Sequence, residues 1–370
     1  MRGTKTGLSM PAELLGKDRE ELRTFCKGLG EPAFRGAQLY HAVYAERKFD
    51  FARMTNLPAA LRERLATEAR ISLPEIRRKF KSQDGSARYL LDLPPDEERR
   101  TRNLLGEHPA AQRTSIEAVF MPSEGRQTIC ISTQAGCAVD CHFCLTAQLG
   151  LIRNLTPGEI LAQVLLPLEE HKSDLAPQTN VVLMGQGEPL LNFDAVMTAV
   201  RILLDPDGVA LSPKHVTLST SGIVPGIERL AKEPVRPKLA ISLNASQDEQ
   251  RDALMPINRK YPLAMLLEAG RKYPLRPWEW LTFEYVLLGG VNDSPEDARR
   301  VVRLLAHLKA KVNLIPWNPG ELPYDEPSAD RVEEFRRILA EKGVPVFVRY
   351  SRGRDVMAAC GQLALVEIQG

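Results

Sequence analysis

From Cys130 onward, apolar runs of strand length alternate with amphipathic runs of helix length. No other feature limits so strongly the folds open to the chain. The strand-like runs are TICIST, VVLMG, HVTLST, KLAISLN, TFEYVLLGG and KVNLIP, with a last one at PVFVRYS. Between them lie PGEILAQVLLPLEEH, DAVMTAVRILL, PGIERLAKE, PLAMLLEAGRKY, SPEDARRVVRLLAHLK and SADRVEEFRRILAEKG. Several of these open on Pro or on a Ser/Asp cap. Six βα units with apolar strands predict an α/β fold, a parallel sheet with helices on its outer side. Right-handed crossovers curl such a series toward a barrel or partial barrel, with function at the C-terminal strand ends.

The preceding residues follow other patterns. Up to about Ile71, Phe25 and Leu29, then Leu39, Val43 and Tyr44, then Leu57, Leu61 and Leu65 fall at helical spacing, punctuated by Gly30, Pro32 and Gly36. Such a module is either a packing appendage or a nucleic-acid clamp. IRRKFKSQDGSARYLLDL then carries an Asp84–Gly85 turn between two alternating runs, a hairpin signal. Arg77, Arg78, Lys79 and Lys81 charge its first arm, as in an edge strand protected by charge or in an RNA contact. TSIEAVFMP and RQTICIST form a second hairpin around Ser123–Gly125. The expected organisation is a helical accessory domain over 1–75, a β-hairpin extension over 76–122, and a catalytic barrel with a cysteine-bearing C-terminal segment over 123–370.

A net charge of only +2 over 370 residues excludes a bulk polycation, so nucleic-acid binding must rest on local patches. Six cysteines, three of them clustered, argue against a secreted disulfide scaffold and for a reducing compartment. The start, MRGTKTGLSMPAELLG, has no apolar core of signal-peptide length, and no stretch approaches the ~18 apolar residues of a membrane span. A cytoplasmic protein is expected.

The chemistry concentrates in TQAGCAVDCHFCLTAQLG, which holds Cys137, Cys141 and Cys144. Three thiolates this close on one loop can hold three corners of a cubane iron–sulfur cluster. No fourth cysteine lies at ligand spacing, which leaves one iron open to a chelating small molecule. The alternatives are a three-cysteine zinc site, with Asp140 and His142 as the nearby additions, or chance clustering. Zinc sites generally use two separated ligand sets, and only one is present.

This triad, with Phe143 before its last cysteine, resembles the radical S-adenosylmethionine (SAM) superfamily, in which the open iron binds the amino and carboxylate groups of SAM. The resemblance implies a partial (β/α)6 radical SAM barrel and a [4Fe–4S] cluster on Cys137, Cys141 and Cys144. MGQGEP then resembles the motif that holds the SAM amino group, with Gly187 and Glu188, although GxGEP alone reads as a tight turn. Ser219 in LSTSG, Ser242, Leu243 and Asn244 in SLN, and Asn318 in PWNP complete a set of polar strand ends suited to a polar cofactor.

GCAVDCHFCLTAQLG, LMGQGEPLLNFDAV, VTLSTSG, SLNASQDEQRDALMPINRKYPL and DVMAACGQL together resemble the radical SAM adenine C-2 methyltransferases of RNA, the RlmN family. The resemblance covers nearly the whole chain. One departure is Asn244, where the family commonly has histidine. Adenine carbon 2 is electrophilic and has no acidic proton, so direct methyl transfer from SAM cannot work. The resemblance implies a detour using two SAM per turnover. Cys360 accepts a methyl group and carries it to carbon 2 by a radical route, Glu117 accepts the carbon-2 proton, and Cys130 attacks Cys360 to release product through a transient disulfide. From the residues alone, Cys130 and Cys360 read as buried apolar cysteines and Glu117 as an exposed strand carboxylate.

The implied partners are 23S rRNA, tRNA and a flavodoxin- or ferredoxin-like electron donor, with a monomer expected. The target base must leave its stack, with phosphates held by Lys/Arg. Beyond the IRRKFK arm, Arg99, Arg100, Arg102, Arg349, Arg352 and Arg354 are candidates. Two rivals remain: the related resistance-type methyltransferase of adenosine carbon 8, and a noncatalytic iron–sulfur RNA-binding protein.

Overall fold

The computed structural model describes residues 11–94, 114–359 and 361–363; Cys360, Arg99, Arg100 and Arg102 lie outside the described residues. The N-terminal module comprises β1 (Ala12–Glu13), α1 (Arg19–Gly28), α2 (Phe34–Tyr44), α3 (Ala59–Glu68) and β2 (Ala69–Arg70), with β1 and β2 paired in parallel. Asp18 starts α1 by a reciprocal cap: its side chain accepts from Glu21 N, and Glu21 accepts from Asp18 N at 2.7 Å. One turn apart, Leu22 and Cys26 are the residues this helix buries.

Next come β3 (Glu75–Lys81), β4 (Ala87–Asp92), β5 (Ser115–Ser123) and β6 (Arg126–Cys130), joined antiparallel as the two expected hairpins. A small antiparallel pair, β7 (Gln134–Gly136) and β8 (Leu151–Asn154), brackets the cysteine loop and the one-turn helix α4 (Leu145–Gln148). The alternating region then runs α5 (Pro157–Glu170), β9 (Gln178–Leu183), α6 (Phe193–Leu204), β10 (Val216–Thr220), α7 (Val224–Leu230), β11 (Lys238–Ser242), α8 (Asp248–Leu254), α9 (Leu263–Lys272), β12 (Leu281–Leu287), α10 (Pro295–Leu305), β13 (Ala310–Pro316), α11 (Ala329–Glu341) and β14 (Val346–Val348).

Ten strands form one sheet in the order β14-β13-β12-β11-β10-β9-β6-β5-β4-β3. β6 pairs antiparallel with β5 and parallel with β9, so it is both a hairpin arm and the first of the parallel strands. Sequence reading overlooks α8 and overextends the last strand, where only Val346–Val348 pairs. The hairpin arm's cations are largely committed: Arg77 pairs with Asp92 at 2.9 Å, and Lys79 with Glu170.

Strand parity sorts the two faces. Val181, Leu183, Val216, Leu218, Leu239, Ile241, Phe283, Tyr285, Val312 and Leu314 belong to the main core under the helices. Their alternates, including Cys130, Ser219, Ser242, Glu284 and Asn313, face the concave side. The N-terminal module docks on the opposite, helical layer: Tyr40 donates to Asp205 at 3.0 Å and Arg19 meets Asp205 at 3.1 Å. It packs behind the sheet, away from the concavity.

Among the described residues, strand pairing does not join β14 to β3. The segment after β14 spans that gap with side chains. Gly353 N donates to Asp84 Oδ2 at 2.9 Å, and Asp355 accepts from Ser82 Oγ at 2.6 Å and Gln83 N at 3.0 Å. Arg352 and Arg354, expected as RNA contacts, pair with Asp84 and Glu326 respectively. Among the described residues no helix is long and apolar enough to cross a membrane.

Candidate active site

The cysteine loop leaves β7 at Gly136 and is pinned by Cys137 N donating to Gly150 O at 2.9 Å. Asp140 takes a left-handed φ of 59°, turning the loop between its first two cysteines. Cys137, Cys141 and Cys144 all line one cavity with Gly187, Glu188, Ser219, Ser242, Asn244 and Asn318. Nine of the ten residues expected to hold cluster and cofactor thus line this cavity; the tenth, Leu243, has its side chain in the main core, and its carbonyl accepts from Arg251 beside the cavity.

Burial pushes the Cys137 thiol up to about 11 and raises those of Cys141 and Cys144. Burial thus disfavours the thiolate forms, a cost that the positive charge of a bound metal cluster would offset. Among the described residues no three His, Cys, Asp or Glu side chains converge on a single-ion site. The three cysteines line one cavity, and Cys141 and Cys144 lie close enough to Cys137 and to each other to act on one another's charge, as ligands of one cluster would.

Glu188 is buried, and its carboxylate braces neighbouring strand ends: Oε2 accepts from Ser221 N at 2.7 Å and Ser221 Oγ at 2.8 Å, and Oε1 from Leu190 N at 3.0 Å. Burial pushes its pKa up against these hydrogen bonds. The Thr220 side chain adds to these interactions, so a ligand amine would be met chiefly by the charge of the carboxylate. Gly187 sits before it at φ 96°, where a Cβ would lie 2.5 Å from Gln134 Cβ and 2.7 Å from Gln134 N. Gly187→Ala is expected to displace Glu188 and weaken SAM binding by ~10-fold or more, given the ~1–2 kcal/mol cost of this conformation for an L-residue plus the contact. Calorimetric titration with SAM checks this; unchanged affinity refutes the cradle.

Asn244 also has positive φ, 55°, a conformation asparagine tolerates. Its Oδ1 accepts from Val286 N at 2.9 Å and its Nδ2 reaches Met255 Sδ at 3.3 Å, so its amide fixes the mouth of β11. Asn318 Nδ2 donates to Ser351 Oγ at 2.8 Å, tying the end of β13 to the C-terminal segment.

Two residues here escape sequence reasoning. Arg251, on α8, is fully buried and donates to Leu243 O at 3.0 Å, Asn258 Oδ1 at 3.0 Å, Ser221 O at 2.7 Å and Ser242 O at 3.0 Å. It binds the ends of β10 and β11 together, while His142 N donates to Leu254 O at 3.0 Å and seats the cysteine loop on the same helix. Glu284 lines the cavity with its carboxylate accepting from Asn313 Nδ2 at 2.9 Å, and burial pushes its pKa up to about 7. The folded chain then holds a proton between pH ~4.5 and ~7 that the unfolded chain releases, so stability falls as pH rises through that window, by about 3 kcal/mol. Glu284→Gln is expected to flatten this dependence in melts between pH 5 and 8; an unchanged slope refutes the assignment.

Beside the cavity, Cys130 belongs to a separate apolar cluster with Phe80, Leu90, Val119, Val356, Ala358 and Leu363. Ala358 and Leu363 flank Cys360 in sequence. Leu363 O accepts from Thr146 Oγ1 at 2.6 Å, and Gly361 O from Leu145 N at 2.8 Å, which fastens this segment to the end of the cysteine loop. Glu117, expected on an exposed strand from the residues alone, is fully buried in an ion pair with Arg88 and 3.4 Å from Gln186 Nε2.

Two family models match the chain: the Radical SAM superfamily over residues 131–305 and the ribosomal RNA large subunit methyltransferase N-terminal domain over 12–71. A "Probable dual-specificity RNA methyltransferase RlmN" of Koribacter versatilis is 48% identical over 92% of this chain and 98% of its own length. The chain belongs to the RlmN family. The dual-specificity RNA methyltransferase RlmN of Anaeromyxobacter dehalogenans is 46% identical, over 95% of this chain and 91% of its own. A crystal structure of a radical SAM methyltransferase from Sphaerobacter thermophilus superposes with a TM-score of 0.85 at 40% identity, covering 95% and 99% of the two chains. As an RlmN-family member the chain is a radical SAM RNA methyltransferase, and membership implies a [4Fe–4S] cluster and SAM as its cofactors.

Proposed function

We propose that the chain methylates carbon 2 of adenosine in 23S rRNA and tRNA through an S-methylated Cys360. The observation that carries this reading is the meeting of Cys130, the residues flanking Cys360 and the end of the cysteine loop beside one cavity. When bound, cluster and SAM supply the methyl group, the electron and the radical that activates the methyl carbon. The thiolate of Cys360 is the nucleophile that accepts the methyl group and then presents it to the base. Glu117 receives the carbon-2 proton, and Arg88, its ion-pair partner, fixes the position of that carboxylate. Once the adduct has lost the carbon-2 proton and one electron, which the cluster would take back, the Cys130 thiolate attacks the sulfur of Cys360; a disulfide forms as the carbon–sulfur bond to the base breaks, and the released carbon takes a proton to complete the methyl group. Reduction by an external donor restores both thiols. Two SAM are used per turnover, one as methyl source and one as radical source.

Anaerobic reaction of the reconstituted protein with SAM, a reductant and rRNA tests the reading by nucleoside mass spectrometry. A 2-methyladenosine peak is expected. An 8-methyladenosine peak instead assigns the carbon-8 chemistry, and no methylated adenosine from a cluster-loaded protein refutes the proposed substrate.

A further inference from the structure

Below the cofactor cavity, the concave face of the sheet gathers positive charge. Lys238 on β11 and Lys311 on β13 lie four residues before Ser242 and Ile315 in the same parity, ~13 Å along each strand. Arg349 follows β14 and donates from Nε to Asn313 Oδ1 at 3.2 Å. Both lysines are half-buried, and none of the three is among the residues lining the cofactor cavity. Burial first, then repulsion from Lys311, disfavours charge on Lys238; burial, then Arg349, does so on Lys311.

The acidic groups facing them are few. Glu284 acts on Lys311 but gives its carboxylate to Asn313, and Glu279 acts on Lys238 but pairs with Arg276 at 3.3 Å. Lys214 and His215 add further basic character beside Lys238. Among the described residues none of the three cations has an ion pair with a carboxylate. Mutually repelling cations on the wall of a concavity are stabilised by an incoming anion. RNA is the substrate of this enzyme, and a nucleotide drawn out of its stack brings a phosphate on either side.

We propose that Lys238, Lys311 and Arg349 form a phosphate site that holds the RNA backbone flanking the nucleotide entering the cavity. The site rests on the proposed entry of an adenosine into this concavity. Arg349 lies just beyond the edge strand β14 and is exposed to solvent. Carbon-2 regiochemistry is not required by it.

The test uses the cluster-loaded enzyme and a 23S rRNA fragment spanning the target adenosine, with Kd measured against KCl concentration. Lys311→Gln and Lys238→Gln/Lys311→Gln are expected to raise Kd by about tenfold or more and to lower the log–log salt slope by ~0.7 per lysine removed. Lys311→Arg is expected to retain wild-type affinity and slope, and all variants to retain SAM affinity and the cluster's electron paramagnetic resonance signal. Unchanged Kd and slope in the glutamine variants overturns the site. Loss of SAM binding alongside RNA binding, or equal failure of Lys311→Arg, also overturns it by showing a structural role. A wild-type enzyme that binds RNA with the expected slope but makes no 2-methyladenosine refutes the proposed regiochemistry and leaves the phosphate site standing.

Discussion

Cys130→Ala is expected to leave RNA covalently attached to the chain, with multiple turnover reduced ~10⁴-fold or more, the scale on which losing one member of a covalent catalytic unit is felt. On the proposed route, addition of the S-methyl carbon to the base would make a carbon–sulfur link between RNA and Cys360. That link would then have to be broken, which a second thiol can do by taking the sulfur into a disulfide. Cys130 sits in the apolar cluster that includes Ala358 and Leu363, so it is the described thiol placed to act there. A denaturing gel of cluster-loaded Cys130→Ala after reaction with labelled RNA should show an adduct of one RNA per chain, absent from Cys130→Ala/Cys360→Ala. Multiple turnover by Cys130→Ala, or an adduct surviving in the double variant, eliminates this pathway.

Arg88→Met is expected to destabilise the fold by about 3–5 kcal/mol, the cost of leaving a buried charge without its partner. Arg88 and Glu117 are both fully buried on adjacent strands, and the Arg88 guanidinium also lies 4.1 Å from the Phe80 ring centroid. Removing both charges should cost far less: Arg88→Met/Glu117→Gln is expected to recover most of the loss in denaturant melts, as double-mutant coupling requires. Activity should not recover in the double variant, because the proposed proton acceptor is gone. Additive stability effects would show that the pair is not coupled, and a fully active double variant would remove Glu117 from the chemistry.

The parts legible in sequence are those written by local pattern. Alternation in KLAISLN or KVNLIP reports which residues meet helices, because side-chain direction is fixed by backbone geometry alone. The spacing of Cys137, Cys141 and Cys144 likewise needs only one loop. Arg88, Arg251 and Glu284 were illegible because each derives its role from a partner on another element. Arg88 meets Glu117 29 positions away, and Arg251 reaches Ser221 30 positions away. A charged residue on a strand or short helix reads as a solvated face until that partner is known. Leu243 differs again: motif position marks it for the site, while strand parity puts its side chain in the core and leaves only its backbone on that side.

The tie between the cysteine loop and the C-terminal segment has a consequence for how the molecule comes into being. Thr146 and Leu363 are 217 positions apart, yet their hydrogen bond helps fasten one side of the cofactor cavity. During synthesis the cysteines emerge long before the residues that hold their loop in place. Contacts this distant in sequence also form late, because closing so long a span is entropically slow. The metal-binding loop therefore waits, incompletely supported, until nearly the whole polypeptide has left the ribosome.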